Sequence, residues 1–185
     1  MVPGTAYRLR RKVVLVGMMG SGKTAIGRSL ASALGVPFVD SDAAIEQAAA
    51  LSIAEIFARD GETFFRARET EVLRRLLSGP PGIISTGGGA FLSAENRAMI
   101  DRDAVAVWLD ADLHTLWERV RQKDTRPLLR TADPKGTLSA LLDARRDIYA
   151  QAGLRLPISF HASIEETTQS ALRLLASRPD ILETI

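Results

Sequence analysis

The stretch Val13 to Thr24, VVLVGMMGSGKT, constrains the fold more than any other part of the chain. Gly17 to Thr24 fits GxxxxGK[ST], with an apolar β-branched run before it and helix-period residues after it. A loop of this kind turns successive backbone N–H groups inward around phosphate oxygens, at a helix N-terminus whose dipole favours anions. Lys23 then reaches the β- and γ-phosphates of a nucleotide and the Thr24 hydroxyl ligates magnesium. Gly20, Ser21, Gly22 and Ala25 complete the candidate nucleotide contacts. A tight strand–helix turn with a chance lysine is the bland alternative, and the correct flank on both sides argues against it.

The rest of the chain repeats the alternation. Val13–Val16, Pro37–Val39, Ile83–Thr86, Ala104–Leu109 and Leu156–Phe160 read as strands. Thr24–Leu34, closed by Gly35, and Glu62–Leu77 read as helices, and others start near Asp112 and Thr137. Ser52 and Glu55 form a capping box, with Gly61 as the stop of the helix it opens, and Ser163 and Glu166 form another. Strands without polar alternation, separated by helices, predict a parallel sheet covered on both faces. The expectation is a three-layer α/β fold with a five-stranded parallel sheet, residues 1–185 forming one domain. The polar, basic insertion from Gln122 to Gly136 lacks periodicity and is expected to be either disordered or a mobile functional lid.

Composition narrows the function. Lys and Arg number 24 against 22 Asp and Glu, so a net charge of +2 gives no case for nucleic acid. There is no cysteine, which excludes disulfides and thiolate metal sites and fits a reducing cytoplasm. The N-terminal YRLRRK reads as a solvated lead-in, and VVLVG behind it is far too short to span a membrane.

A phosphate loop alone does not separate a motor, a switch and a small-molecule kinase. FVDSD puts Asp40 and Asp42 just past the second strand, at the carboxyl edge of the sheet where ligands bind. Asp40 could hold the hydration shell of magnesium. Asp42 could orient or deprotonate an acceptor hydroxyl, or merely cap the following helix. Asp110, at the end of AVAVWLD, competes for the metal by pattern alone.

GMMGSGKT, FVDSDAAIE, SIAEIFARDGETFFRARE, ISTGGGA and TRPLL stand together in this order. Together they resemble shikimate kinases over residues 12–150. The resemblance implies a nucleoside-monophosphate-kinase-like fold and transfer of phosphate from ATP, with Mg²⁺, to shikimate, a step of aromatic amino-acid synthesis. It assigns Asp40 to the magnesium and Asp42 to the substrate hydroxyls. Arg66 and Arg145 are assigned to the substrate carboxylate, Gly88 to a substrate contact and Arg126 to the ATP phosphates. Lys23, Asp42 and Arg126 are the catalytic candidates. Arg146 adjoins Arg145 and is easily confused with it.

From spacing alone, Arg66 also fits an i,i+3 pair with Glu69 on a solvated helix face. The family pattern implies a cytoplasmic monomer and makes the Gly87–Gly89 run the floor of the acceptor pocket. Arg119 is a candidate to stack on the base. His114 and His161 are isolated, and Trp108 and Trp117 lie in apolar patterns that read as core. The nearest alternatives are a kinase of another polyhydroxy acid, such as gluconate, and a non-catalytic nucleotide-binding module.

Overall fold

The structure, a computed structural model, describes residues 6–121 and 127–185. Its large sheet contains β2 (Lys12–Val16), β3 (Phe38–Asp40), β4 (Ile83–Ser85), β5 (Ala104–Ala111) and β6 (Leu154–Ile158). These five strands are parallel and lie in the order β3-β4-β2-β5-β6. All five residues of β2 are buried. Because successive side chains of a strand point to opposite faces, both faces of the sheet are covered there.

Helices α1 (Lys23–Leu34), α2 (Ser41–Ala49), α3 (Ile53–Leu77), α4 (Ala94–Asp103), α5 (Leu113–Val120), α6 (Pro134–Tyr149) and α7 (Ile164–Ala176) flank the sheet. The main core joins the sheet to α1, α5, α6 and α7. A separate small core of Ile45, Ile56, Phe65 and Val72 ties α2 to α3, so this side of the molecule has its own packing.

Most expected elements appear, with instructive differences. The N-terminal lead-in is not simply solvated: Tyr7–Leu9 (β1) pairs antiparallel with Leu182–Thr184 (β7) near the far end of the chain. Arg10 clasps Glu183 at 2.7 Å across that ribbon. The last strand of the large sheet runs from Leu154 to Ile158, two residues earlier than expected, so Ser159 and Phe160 leave the sheet. It pairs only with β5, and an edge strand tolerates Pro157.

Gly61 does break helical geometry, at φ 81° and ψ 173°, but α3 resumes beyond it as one kinked element. Helix α6 starts at Pro134 rather than Thr137, capped by Asp133, so the final residues of the expected lid are its first turn. Helix α4 had no counterpart in the expected elements. Only Met99 and Ile100 among its apolar residues larger than alanine are buried, too few for a helical stripe to be visible.

Candidate functional site

The phosphate loop leaves the carboxyl end of β2, the strand flanked on both sides in the middle of the sheet order. Gly17, Gly20 and Gly22 have φ of 143°, 83° and 98°, which side chains rarely allow and which curl the loop around its own N–H groups. Lys23 is buried, and its ammonium donates to the carbonyls of Gly17 and Met18 at 2.8 and 2.9 Å. Arg119, from α5, reaches over the loop to the carbonyls of Gly20 and Ser21 at 3.2 and 3.3 Å. Ile158, Ala162, Ile164 and Thr167 close the far wall of the same cleft, whose volume is 530 Å³. That wall was not visible in the sequence, because no motif marks the turn after β6.

The two acids after β3 divide their roles differently from the capping alternative. Asp40, not Asp42, is the N-cap of α2: one oxygen accepts from the Ala43 amide at 3.1 Å. Its other oxygen accepts from the Thr24 hydroxyl at 3.1 Å, which brings Asp40 and the phosphate loop together. Asp42, freed from capping, lies in the first turn of α2 and faces the glycine run. Burial, then repulsion from Asp40 and Glu69, pushes its carboxyl up to about 6, against a smaller opposing pull from Lys23.

The glycines of the run are needed for approach, not for unusual backbone, since none of them has positive φ. A Cβ on Gly87 would stand 2.6 Å from the Asp42 carboxylate. One on Gly89 would stand 2.5 Å from the Arg66 guanidinium, and one on Gly88 3.5 Å from that of Arg145. Asp42, Arg145 and Arg66 therefore each lie against one of three consecutive bare residues, beside the phosphate loop. Gly88 itself has ordinary room for a methyl group within the protein.

Arg66 does pair with Glu69, at 2.8 Å, but the solvated-face reading fails because Glu69 is only 3% exposed. Burial raises the Glu69 pKa while Arg66 opposes it, so the acid acts as an internal seat for the guanidinium. Spacing could suggest that pair but not its burial.

Asp110 is not available for a metal. Its carboxylate, 8% exposed, is held by Arg155 at 2.5 Å and by Arg146 at 3.8 Å. The same contacts separate the adjacent arginines: Arg146 turns to Asp110 and Arg145 to the glycine run. Asp110→Asn is expected to lower stability by about 1–3 kcal/mol, leaving two cations without their counter-ion. The magnesium dependence of turnover should not change; a thermal melt and a magnesium titration check both parts.

Arg126 lies outside the described residues, as do residues 122–125 before it. His114 and His161 are exposed; their rings meet Phe160 tilted and edge-on, at 5.1 and 5.3 Å, and neither lines the cleft. Trp108 is core and Trp117 packs against it. A second cleft, of 610 Å³, lies between α3 and the start of α4, but Arg74 and Glu95 already pair across it at 2.8 Å. Among the described residues, no helix is long and apolar enough to cross a membrane.

A phosphate loop on the central strand of this sheet, with a second compartment of one acid and two arginines beside it, defines a P-loop kinase of small molecules. The shikimate kinase family model matches residues 19–176. The chain is 58% identical over 182 residues to the shikimate kinase of Ruegeria pomeroyi, covering 98% of this chain and 93% of that protein. It is also 58% identical over 177 residues to that of Cereibacter sphaeroides, covering 96% and 88%. A solved structure of the Acinetobacter baumannii shikimate kinase in complex with shikimate superposes with a TM-score of 0.85 at 36% identity. That match covers 90% of this chain and 93% of the other. The chain belongs to the shikimate kinase family.

Proposed function

We propose that the protein transfers the γ-phosphoryl group of ATP to a ring hydroxyl of shikimate, giving ADP and shikimate 3-phosphate. The observation that carries this reading is the facing of Asp42, Arg145 and Arg66 onto Gly87, Gly88 and Gly89 beside the phosphate loop. A flat ring can lie on that bare backbone. Two guanidinium forks suit its carboxylate, because each can bond both oxygens. Asp42 then meets the hydroxyl between the ring and the nucleotide.

Phosphoryl transfer asks mainly for alignment and charge neutralisation. Lys23 neutralises charge on the transferring group, and the loop amides hold the phosphates. Asp42 accepts the hydroxyl proton as the oxygen attacks phosphorus and the bond to the ADP oxygen breaks. Glu69 keeps Arg66 in place from below. Arg119 and the wall at Ile158 and Ile164 form the base side of the cleft.

Thr24 and Asp40 offer two hard oxygen donors 3.1 Å apart, a set that fits magnesium, which takes few protein ligands and keeps several waters. When bound, the ion would offset phosphate charge there. The family pattern adds Arg126 at the phosphates, and the reading includes a cytoplasmic monomer working as one kinase domain with a lid that ends where α6 begins at Pro134.

Incubation with ATP, Mg²⁺ and shikimate tests the reading. Equal amounts of ADP and a singly phosphorylated shikimate are expected by mass spectrometry. ADP appearing without a phosphorylated acid would mean ATP hydrolysis and contradict it.

A further inference from the structure

Tyr149, the last residue of α6, takes no part in the chemistry above, yet it joins two parts of the acceptor pocket. Its side chain is fully enclosed, with the ring 6.4 Å from Trp108 and 6.5 Å from Phe91 in near-parallel stacks. Phenylalanine would supply that packing equally well, so the stacks do not account for the hydroxyl. A buried phenol needs a hydrogen-bond partner, and this one finds it in the glycine run. It donates to the Gly88 carbonyl at 2.5 Å. The Arg145 guanidinium, one helical turn earlier, lies close enough to lower the pKa of the phenol.

The geometry of this relay is economical. Arg145 carries five N–H donors in a rigid fork, so turning one of them to the Tyr149 oxygen would set its plane and leave the rest for a substrate. The same oxygen fixes the Gly88 peptide, in the middle of the glycine run. Burial raises the pKa of the phenol, against a smaller lowering by Arg145, so it stays protonated and keeps donating to Gly88 throughout the working range. Arg146, bonded to Asp110, anchors the same helix end to β5. The fork is thus held from the core rather than from solvent.

We propose that Tyr149 is a positioning residue for the acceptor, its hydroxyl aiming the Arg145 fork and the Gly88 peptide together at the substrate carboxylate. This rests on the reading of Arg145 as a carboxylate arm. The specificity it provides is for a planar anion on the ring, and a neutral group in that place should not sense it.

The test is Tyr149→Phe, which keeps the ring and removes one oxygen. Steady-state rates are measured with shikimate and with its carboxamide, which replaces the carboxylate by a neutral group of the same shape. The KM for shikimate should rise about tenfold, the scale of one hydrogen bond involving a charged group, with the KM for ATP unchanged. For the carboxamide, kcat/KM should differ from wild type by less than about twofold, since the aimed fork has no anion to meet.

Phe91→Leu, which loosens the ring stack but spares the hydroxyl, should lower the melting temperature without a selective effect on shikimate. Arg145→Ala should raise the shikimate KM at least as far, and adding Tyr149→Phe to it should change little, because the two act as one unit. If Arg145→Ala leaves that KM unchanged, the carboxylate reading itself fails. If Arg145→Ala raises it while Tyr149→Phe does not, the positioning role is overturned. It is also overturned if shikimate and its carboxamide suffer alike, or if Phe91→Leu reproduces the selective loss.

Discussion

Asp42→Asn is expected to lower kcat about a thousandfold, the usual range for removing a positioned general base, while ATP still binds. The same substitution should make the protein more stable at neutral pH, which a purely structural role would not predict. The reason lies in what surrounds the carboxylate. Burial raises its pKa most, and Asp40, Glu69 and Glu46 repel its charge, so the group titrates near 6 rather than near its ordinary 3.8.

The sign follows from proton binding. Between those two values the folded protein holds a proton that the unfolded chain has lost, so this group's contribution to stability falls as pH rises through the interval. Above it, the cost of the buried charge reaches about 1–3 kcal/mol, the upper figure being the whole shift and the lower allowing for partial exposure. Asparagine removes that cost at pH 7, and the gain should vanish below the unfolded value. In the wild type, kcat/KM for the acceptor should decline as pH falls through about 6 and Asp42 takes up its proton. Melting curves at neutral and acidic pH, with a pH–rate profile, check all three parts. A destabilised Asp42→Asn with near-normal turnover would remove Asp42 from the chemistry.

Gly89→Ala should be the most damaging single methyl group in the molecule for acceptor binding, with a cost in stability that comes from the Arg66–Glu69 pair and not from the backbone. The backbone at Gly89, φ −94° and ψ −13°, is one that alanine adopts without strain. The added Cβ would instead stand 2.5–2.8 Å from the Arg66 guanidinium, which must move. Displacing that guanidinium strains its 2.8 Å pair with the buried Glu69, so stability should also fall, by about 1–3 kcal/mol.

The displaced fork no longer meets the carboxylate, and the KM for shikimate should rise at least about tenfold, with that for ATP spared. Gly87→Ala, by crowding Asp42 at 2.6 Å, should lower kcat instead. Gly88→Ala disturbs neither partner at its contact of 3.5 Å, so any loss there falls on the substrate directly. Steady-state kinetics on the three variants separates these outcomes. Equal effects at all three positions would mean that the run serves backbone flexibility after all.

What could be read from the sequence was what depends on local pattern. The phosphate loop carries its own flanks, and central strands such as Val13–Val16 are continuous apolar runs because both sheet faces are covered. What resisted reading depends on contacts between distant residues. Asp40 and Asp42 are two apart and equally suited to cap or to catalyse; only the path of α2 decides that Asp40 takes the Ala43 amide. Glu69 looks like half of a surface pair, and its burial follows from how α3 packs on its neighbours.

The ribbon of β1 and β7 joins segments from opposite ends of the chain, which no local period announces. Tyr149 is spaced correctly from Arg145, but its bond to Gly88 spans 61 positions. The three glycines stood out as an unusual run. Their separate neighbours, one acid and two arginines, became visible only when α2, α3 and α6 converged on them.

The most direct measurement is kcat/KM for ADP formation across shikimate, gluconate and the nucleoside monophosphates, under identical ATP and magnesium. The account predicts that shikimate exceeds every other acceptor by at least about a thousandfold, because two guanidinium forks and bare backbone match a flat ring acid and leave buried polar groups unpaired with the others. Gluconate or a nucleotide turned over as well as shikimate would contradict it.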